Sequence, residues 1–185
     1  MDRFVLFGLG NPGNQFVHTR HNVGADVVLA WIEHVGFEGA RVSEWKTHEK
    51  FHARVCEVAT GDRVVVVLSQ LVFMNDSGRV LSAYLRYNEI DTKNILVVHD
   101  DLELPLAEAK IQETGSAHGH NGIRSVLEHM GNSDIARLRI GIGRPSDATP
   151  VEKFVLSSFS PSEKEVLHEK QPEILQMISD RVLGE

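Results

Sequence analysis

Cysteine is almost missing from this chain. Cys56 stands alone, which excludes an internal disulfide and any cysteine-based zinc cluster and suits a reducing cytosol. Long hydrophobic runs are missing too. No stretch approaches the roughly 20 apolar residues that cross a bilayer, and the apolar run at residues 4–7 is too short for a secretory signal and is preceded by Asp2. No internal repeat and no low-complexity segment is present. No serine sits in a G-x-S-x-G elbow, which disfavours an acyl-enzyme route, and no H-E-x-x-H pair occurs. Positive charge is scarce as well, with 19 Lys and Arg against 26 Asp and Glu and a formal net charge of −7. Taken by itself, that balance argues against a nucleic-acid partner.

What is present fits one soluble domain with a real core, since 42% of the 185 residues are hydrophobic. Phe4-Val5-Leu6-Phe7 reads as a buried strand. It breaks into Gly8-Leu9-Gly10-Asn11-Pro12-Gly13 and a polar segment ending Thr19-Arg20-His21-Asn22. A helix is predicted over 23–35, with Asn22 as a plausible N-cap and Gly36 as its stop. Residues 51–71 read as a hairpin turning at Thr60-Gly61-Asp62, with 64–68 buried on both faces. A short helix around Val80–Leu85 and a buried strand at 94–98 follow, the strand ending in His99-Asp100-Asp101. Further strands are predicted near 109–112 and 135–142, and a helix at about 123–129 follows the glycine-rich 115–122. The tail, 161–183, is helical, with Ser160 an N-cap and Pro172 breaking it into two helices. Alternating strands and helices predict an α/β fold, and the hairpin makes the sheet mixed. Ligands of such sheets sit outside the carboxyl ends of the strands.

Gly8-x-Gly10-x-x-Gly13 matches the dinucleotide fingerprint in letters only. That fingerprint needs the glycines to open a helix directly, and here polar residues intervene before Val23. His118-x-His120 lies in a glycine loop, and alternate residues there define no coordination geometry. His34, His48, His52, His129 and His168 read as surface or capping residues. His21 differs, because a strand-to-helix passage needs no imidazole for capping. Asp100 and Asp101 follow a buried strand, where a carboxylate can accept the Nδ1 proton of a histidine and raise its basicity, or can simply cap a loop. Asn75 and Asn121 are either N-caps or amides that hold a carbonyl or a water.

Six motifs, in order from about residue 4 to 160, together resemble the bacterial-type peptidyl-tRNA hydrolase family. They are Gly8-Leu9-Gly10-Asn11-Pro12-Gly13, Thr19-Arg20-His21-Asn22-Val23-Gly24, Phe73-Met74-Asn75-x-Ser77-Gly78, His99-Asp100-Asp101-Leu102, Gly119-His120-Asn121-Gly122 and Arg137-x-Arg139-x-Gly141-x-Gly143-Arg144-Pro145. The resemblance implies one domain over 1–185, with a twisted, mixed, mostly parallel sheet flanked by helices and a C-terminal helical segment. It implies a cytoplasmic monomer, away from membranes, that needs no metal and no cofactor. Its partner would be peptidyl-tRNA, cleaved at the ester joining the peptide to the 3′ ribose.

By position, the family's catalytic histidine falls on His21 and its supporting aspartate on Asp100. The substrate-binding positions fall on Asn11, Phe16, Phe73, Asn75 and Asn121, and phosphate contacts on Lys110, Arg124, Arg137 and Arg139, with Arg144 nearby. Neutral His21 would take a proton from the attacking water while an amide, Asn121 or Asn75, holds the carbonyl or the water. The departures are Gln70, Leu71 and Val72 before Phe73, Phe16 for a tyrosine, Gln112-Glu113-Thr114 where basic residues are common, and His118 for a glycine. They spare the proposed catalytic groups and fall on the RNA-binding ones. The acidic excess lies mainly outside residues 105–149, so a local basic strip and a shallow salt slope are expected. The alternative is a non-catalytic RNA-binding relative of the same fold.

Overall fold

A computed structural model of the chain describes residues 2–131 and 134–184; Met1, Asn132, Ser133 and Glu185 lie outside them. In chain order the elements are β1 (Asp2–Gly8), α1 (Val23–Phe37), β2 (Arg41–Val42), β3 (Lys46–His48), β4 (Ala53–Thr60), β5 (Arg63–Gln70) and α2 (Ser77–Asn88). There follow β6 (Ile95–Asp101), β7 (Ala109–Gln112), α3 (Asn121–His129), β8 (Arg137–Gly141), α4 (Val151–Val155) and α5 (Pro161–Leu183). The strands form one mixed eight-stranded sheet of order β2-β4-β5-β1-β6-β8-β7, with β3 also paired to β4. Its centre, β5-β1-β6-β8, is parallel. The β4–β5 hairpin and β7 add antiparallel pairs on either side.

The central strands are apolar at successive positions because both faces are covered. Phe4, Leu6, Val65, Val67, Leu96 and Val98 pack against α1 and α5. Val5, Phe7, Val66, Leu68, Ile95 and Val97 pack against α2 and α3. Each fully buried side chain of this kind contributes roughly 1.5–3 kcal/mol. Trp31 of α1, fully buried, donates its indole N–H to Ser179 Oγ of α5 at 3.0 Å, which joins the two helices on their face of the sheet.

Four local readings need correction. Helix α1 does not stop at Gly36 but runs to Phe37, and the left-handed residue that turns the chain is Gly39, at φ +98°. The 51–71 hairpin forms, but Phe51 lies in a short 3-10 turn before β4. His99, Asp100 and Asp101 are inside β6 and buried, not beyond it. Pro172 does not break the tail, which is one 23-residue helix. Pro172 and His168, the residue whose carbonyl loses its N–H partner, are both exposed. Packing holds the axis on one side of the proline, through Ile174, Leu175, Ile178 and Val182 in the core. At the other end the Ser160–Glu163 capping box fixes the first turn.

Helix α1 meets β6 at Gly24. A Cβ there would stand 2.3 Å from the Val98 carbonyl oxygen and 3.0 Å from the His99 Cα. Both neighbours are backbone and cannot swing aside, so Gly24 is the residue that lets the start of α1 lie against the end of β6. Gly24→Ala is therefore expected to destabilise the protein by about 1–3 kcal/mol, read as a fall in the thermal midpoint. An unchanged midpoint would show that the approach is not the tight one described.

Candidate active site

The site is assembled at the carboxyl edge of the parallel sheet. Leu9 N–H bonds the Val98 carbonyl at 2.9 Å and Ala25 N–H bonds the Leu9 carbonyl at 3.1 Å, so the loop after β1, the start of α1 and the end of β6 are fastened together. This places the 3-10 turn Arg20–Asn22 over Asp100. His21 Nδ1 lies 2.9 Å from Asp100 Oδ1. An ionised carboxylate only accepts, so Nδ1 carries the proton and Nε2 bears the lone pair. Among the described residues no hydrogen bond engages Nε2, and His21 lines a cavity of about 400 Å³ together with Asp100, Asn121, Leu102 and Val155.

The same oxygen of Asp100 has a second partner, His120 Nε2 at 2.8 Å. His120 is the N-cap of α3, and its Nδ1 accepts the N–H groups of Gly122 and Ile123 at 3.1 and 3.2 Å. Burial by itself would raise the Asp100 carboxyl; the attraction of His120 and the hydrogen bonds from His120 and His21 overcome it and hold Asp100 well below the usual carboxylate range. His99, also buried, donates Nδ1–H to the Asp100 carbonyl at 2.7 Å and sets its ring edge-on to His120, 4.9 Å away.

The ligand atoms of His21, Asp100 and His120 lie within 4.8 Å of one another, close enough to suggest a metal site. The hydrogen bonds oppose it. To offer a lone pair at Nε2, His120 would have to carry its proton on Nδ1, against two backbone donors. The donor set fits hydrogen bonding to a carboxylate better than coordination.

The asparagines divide between structure and display. Asn22 makes no side-chain cap to α1. Its amide instead brackets the Asn11 backbone, Oδ1 accepting from the Asn11 N–H at 2.8 Å and Nδ2 donating to the Asn11 carbonyl at 2.9 Å. Asn11 Oδ1 in turn accepts the Met74 N–H at 2.8 Å, which ties the loop before α2 to the loop after β1. Asn75, next along, is exposed. Asn121 Oδ1 accepts from Arg124 at 2.7 Å, so the Asn121 amide nitrogen is left to donate outward. Phe16 and Phe73 meet edge to face at 6.0 Å beside the Asn11 loop. Neither they nor Asn11 and Asn75 line the cavity that holds His21.

The arginines also divide. Arg137 is 2% exposed and donates to the Ser116 and Gly115 carbonyls at 2.8 and 2.9 Å, so it props the glycine loop from beneath and presents no free cation. Arg139 gives Nε to Asp101 at 2.7 Å and one terminal nitrogen to Gln112 at 3.0 Å. Lys110 is exposed and stands opposite Arg139 in the β7–β8 register. Arg144 pairs with Glu103. Sequence reasoning missed Arg20, which is buried and makes a bidentate pair with Glu163 at 2.9 and 2.8 Å between the rings of Phe154 and Phe159. It also missed the parts played by Asn22 and His120, since histidine is not among the usual N-cap residues and carries no capping signal in sequence.

Compared with known proteins, the chain matches the family model described as peptidyl-tRNA hydrolase over residues 5–183. A peptidyl-tRNA hydrolase of Shouchella clausii is 36% identical over 165 residues, 89% of this chain and 85% of that one. One of Oceanobacillus iheyensis is 38% identical over 161 residues, 86% and 81% of the two chains. The crystal structure of peptidyl-tRNA hydrolase from Acinetobacter baumannii superposes with a TM-score of 0.84 at 28% identity, covering 98% of this chain and 89% of that one. Among the described residues, no helix is long and apolar enough to cross a membrane.

His99 gives the site a pH signature in stability. Burial, the largest cause, pushes its imidazole from 6.5 down to about 3. The folded state thus keeps His99 neutral where the unfolded chain would protonate it. Its contribution is fully present above the unfolded value and is lost as pH falls from about 6.5 toward 3, at up to about 1.4 kcal/mol per pH unit. The urea midpoint is expected to drop between pH 6.5 and 4.5, and to drop less in His99→Asn. Parallel curves for the two proteins would refute this.

Proposed function

The chain belongs to the peptidyl-tRNA hydrolase family, and we propose that His21 is the general base with which it activates water. The reaction is hydrolysis of the ester between the peptide and tRNA. One observation carries the mechanism: His21 Nδ1 is fixed on buried Asp100 while Nε2 faces the cavity unbonded. In that tautomer Nε2 removes a proton from water as its oxygen attacks the ester carbonyl carbon. Asp100 stabilises the imidazolium, its negative charge lying against the protonated ring. The Asn121 amide nitrogen, aimed by Arg124, donates to the carbonyl oxygen as it gains charge. When the tetrahedral carbon collapses, the proton on Nε2 passes to the departing 3′ oxygen, giving a free peptide acid and a tRNA 3′ hydroxyl. A ribose leaving group needs no covalent enzyme intermediate, and the Nε2–H tautomer of His120 supports a route without metal.

In the same reading Asn11 and Asn75, with the Phe16–Phe73 pair, contact the substrate on the loops beside the cavity. Lys110 and Arg139, from adjacent strands, and Arg124 form the phosphate strip. Arg137, enclosed beneath the glycine loop, supports that strip without touching RNA.

His21→Ala is expected to lower turnover of a peptidyl-tRNA by about 10²–10⁴-fold while the protein still folds, with a lower thermal midpoint because buried Asp100 loses one of its two donors; near-normal turnover by the folded variant would remove His21 from the mechanism. Arg139→Ala is expected to raise KM and leave kcat nearly unchanged, the mark of lost uniform binding. It should also flatten log K against log salt by about one unit. If KM and the salt slope both stay put, the RNA backbone lies elsewhere.

A further inference from the structure

We propose that His120 is a positioning residue: its Nε2–H, locked in that tautomer by the first amides of α3, shares Asp100 Oδ1 with His21 and holds down the basicity of His21. The inference rests on His21 being the base. Two backbone N–H groups point at His120 Nδ1, so that nitrogen must be an acceptor and cannot carry a proton without abandoning the cap. The remaining proton sits on Nε2 and points at Asp100 Oδ1 at 2.8 Å, the oxygen that His21 uses at 2.9 Å. The two imidazoles lie 4.8 Å apart.

One carboxylate oxygen with two donors gives each of them less. His120 stabilises the carboxylate whether or not His21 is protonated. His21 therefore gains less from becoming an imidazolium than it would from an Asp100 with no other donor on that oxygen. The helix supplies the rigidity, because rotating the His120 ring would break two amide bonds as well as the carboxylate bond.

The other charged groups around the pair do not substitute for His120. Asp101 is closed by Arg139, Glu103 by Arg144 and Arg20 by Glu163. His99 faces the Asp100 carbonyl rather than its side chain. His118 and Glu152 stand on the cavity rim and are exposed.

The test is the pH dependence of kcat/KM on an N-acetylated peptidyl-tRNA for the wild type, His120→Asn and His21→Ala, together with the nitrogen chemical shifts of the wild-type imidazoles. Asparagine is a good N-cap, so His120→Asn keeps α3 but is too short to reach Asp100. The acid limb of its profile should move upward by about half to one pH unit relative to wild type, with the plateau rate within about tenfold. The His120 ring of the wild type should show Nε2 protonated and Nδ1 bare. A superimposable acid limb, or a proton on Nδ1, would overturn the proposal and reduce His120 to a cap. If His120→Asn does not fold, the tautomer measurement still decides. Undiminished activity in His21→Ala would instead overturn the assignment of the base, a result separate from the His120 tautomer.

Discussion

An ionised carboxylate buried at the end of a parallel strand is the constraint on which the rest of this site depends. An isolated charge in that position would be strongly disfavoured and would take up a proton. Asp100 is 3% exposed and remains an anion because Oδ1 receives two ring N–H groups. Those donors come from opposite sides of the sheet edge, one from the turn before α1 and one from the N-terminus of α3. The carboxylate is therefore also the point where two otherwise separate loops are joined. Glycine at position 24 makes this possible, since only there can α1 approach the β6 backbone closely enough to bring its leading turn over Asp100.

The loops that carry the polar groups have no sheet or helix ladder of their own, and side chains take its place. Asn22 satisfies both the N–H and the carbonyl of Asn11, and Asn11 then satisfies Met74. Arg137 satisfies two carbonyls of the glycine loop. Arg20 fastens the His21 turn to the first turn of α5 through Glu163, which also closes that helix's capping box. In each case a long or amide side chain ties a loop or turn to another part of the chain. This arrangement lets a catalytic group sit on a loop yet keep a fixed geometry.

That division explains what the sequence disclosed. The central strands were legible because double-sided burial leaves continuous apolar runs, and the loop motifs were legible because their residue types are sparse and ordered. His21 and Asp100 meet, as the motif positions implied. The strand alternation around Arg137 and Arg139 correctly put both on one face, but it could not show that the glycine loop folds over one of them while Asp101 and Gln112 hold the other. Asn22 had the sequence context of an N-cap, and only the three-dimensional position of Asn11 reveals its stronger use. Pro172 obeyed the local rule for a breaker, whereas the helix is decided by apolar packing on one side of it and a capping box on the other. Each miss arises where a long-range contact outweighs a local preference.

The acidic balance of the chain takes on a specific meaning at Arg139. Its Nε and one terminal nitrogen are committed to Asp101 and Gln112, and Asp101 is held by the Glu103 N–H as well. The Asp101 carboxyl lies below the usual range, because the Arg139 bond and the backbone bond outweigh the effect of burial. The Arg139 guanidinium is therefore already oriented and already neutralised. Its remaining terminal nitrogen can donate to a phosphate without displacing Asp101, but the net attraction is smaller than that of an unpaired arginine. Gln112 extends the same logic by orienting Arg139 without adding charge. On the proposed reading the strip would supply position more than attraction, leaving more of the binding energy to contacts near the ester itself.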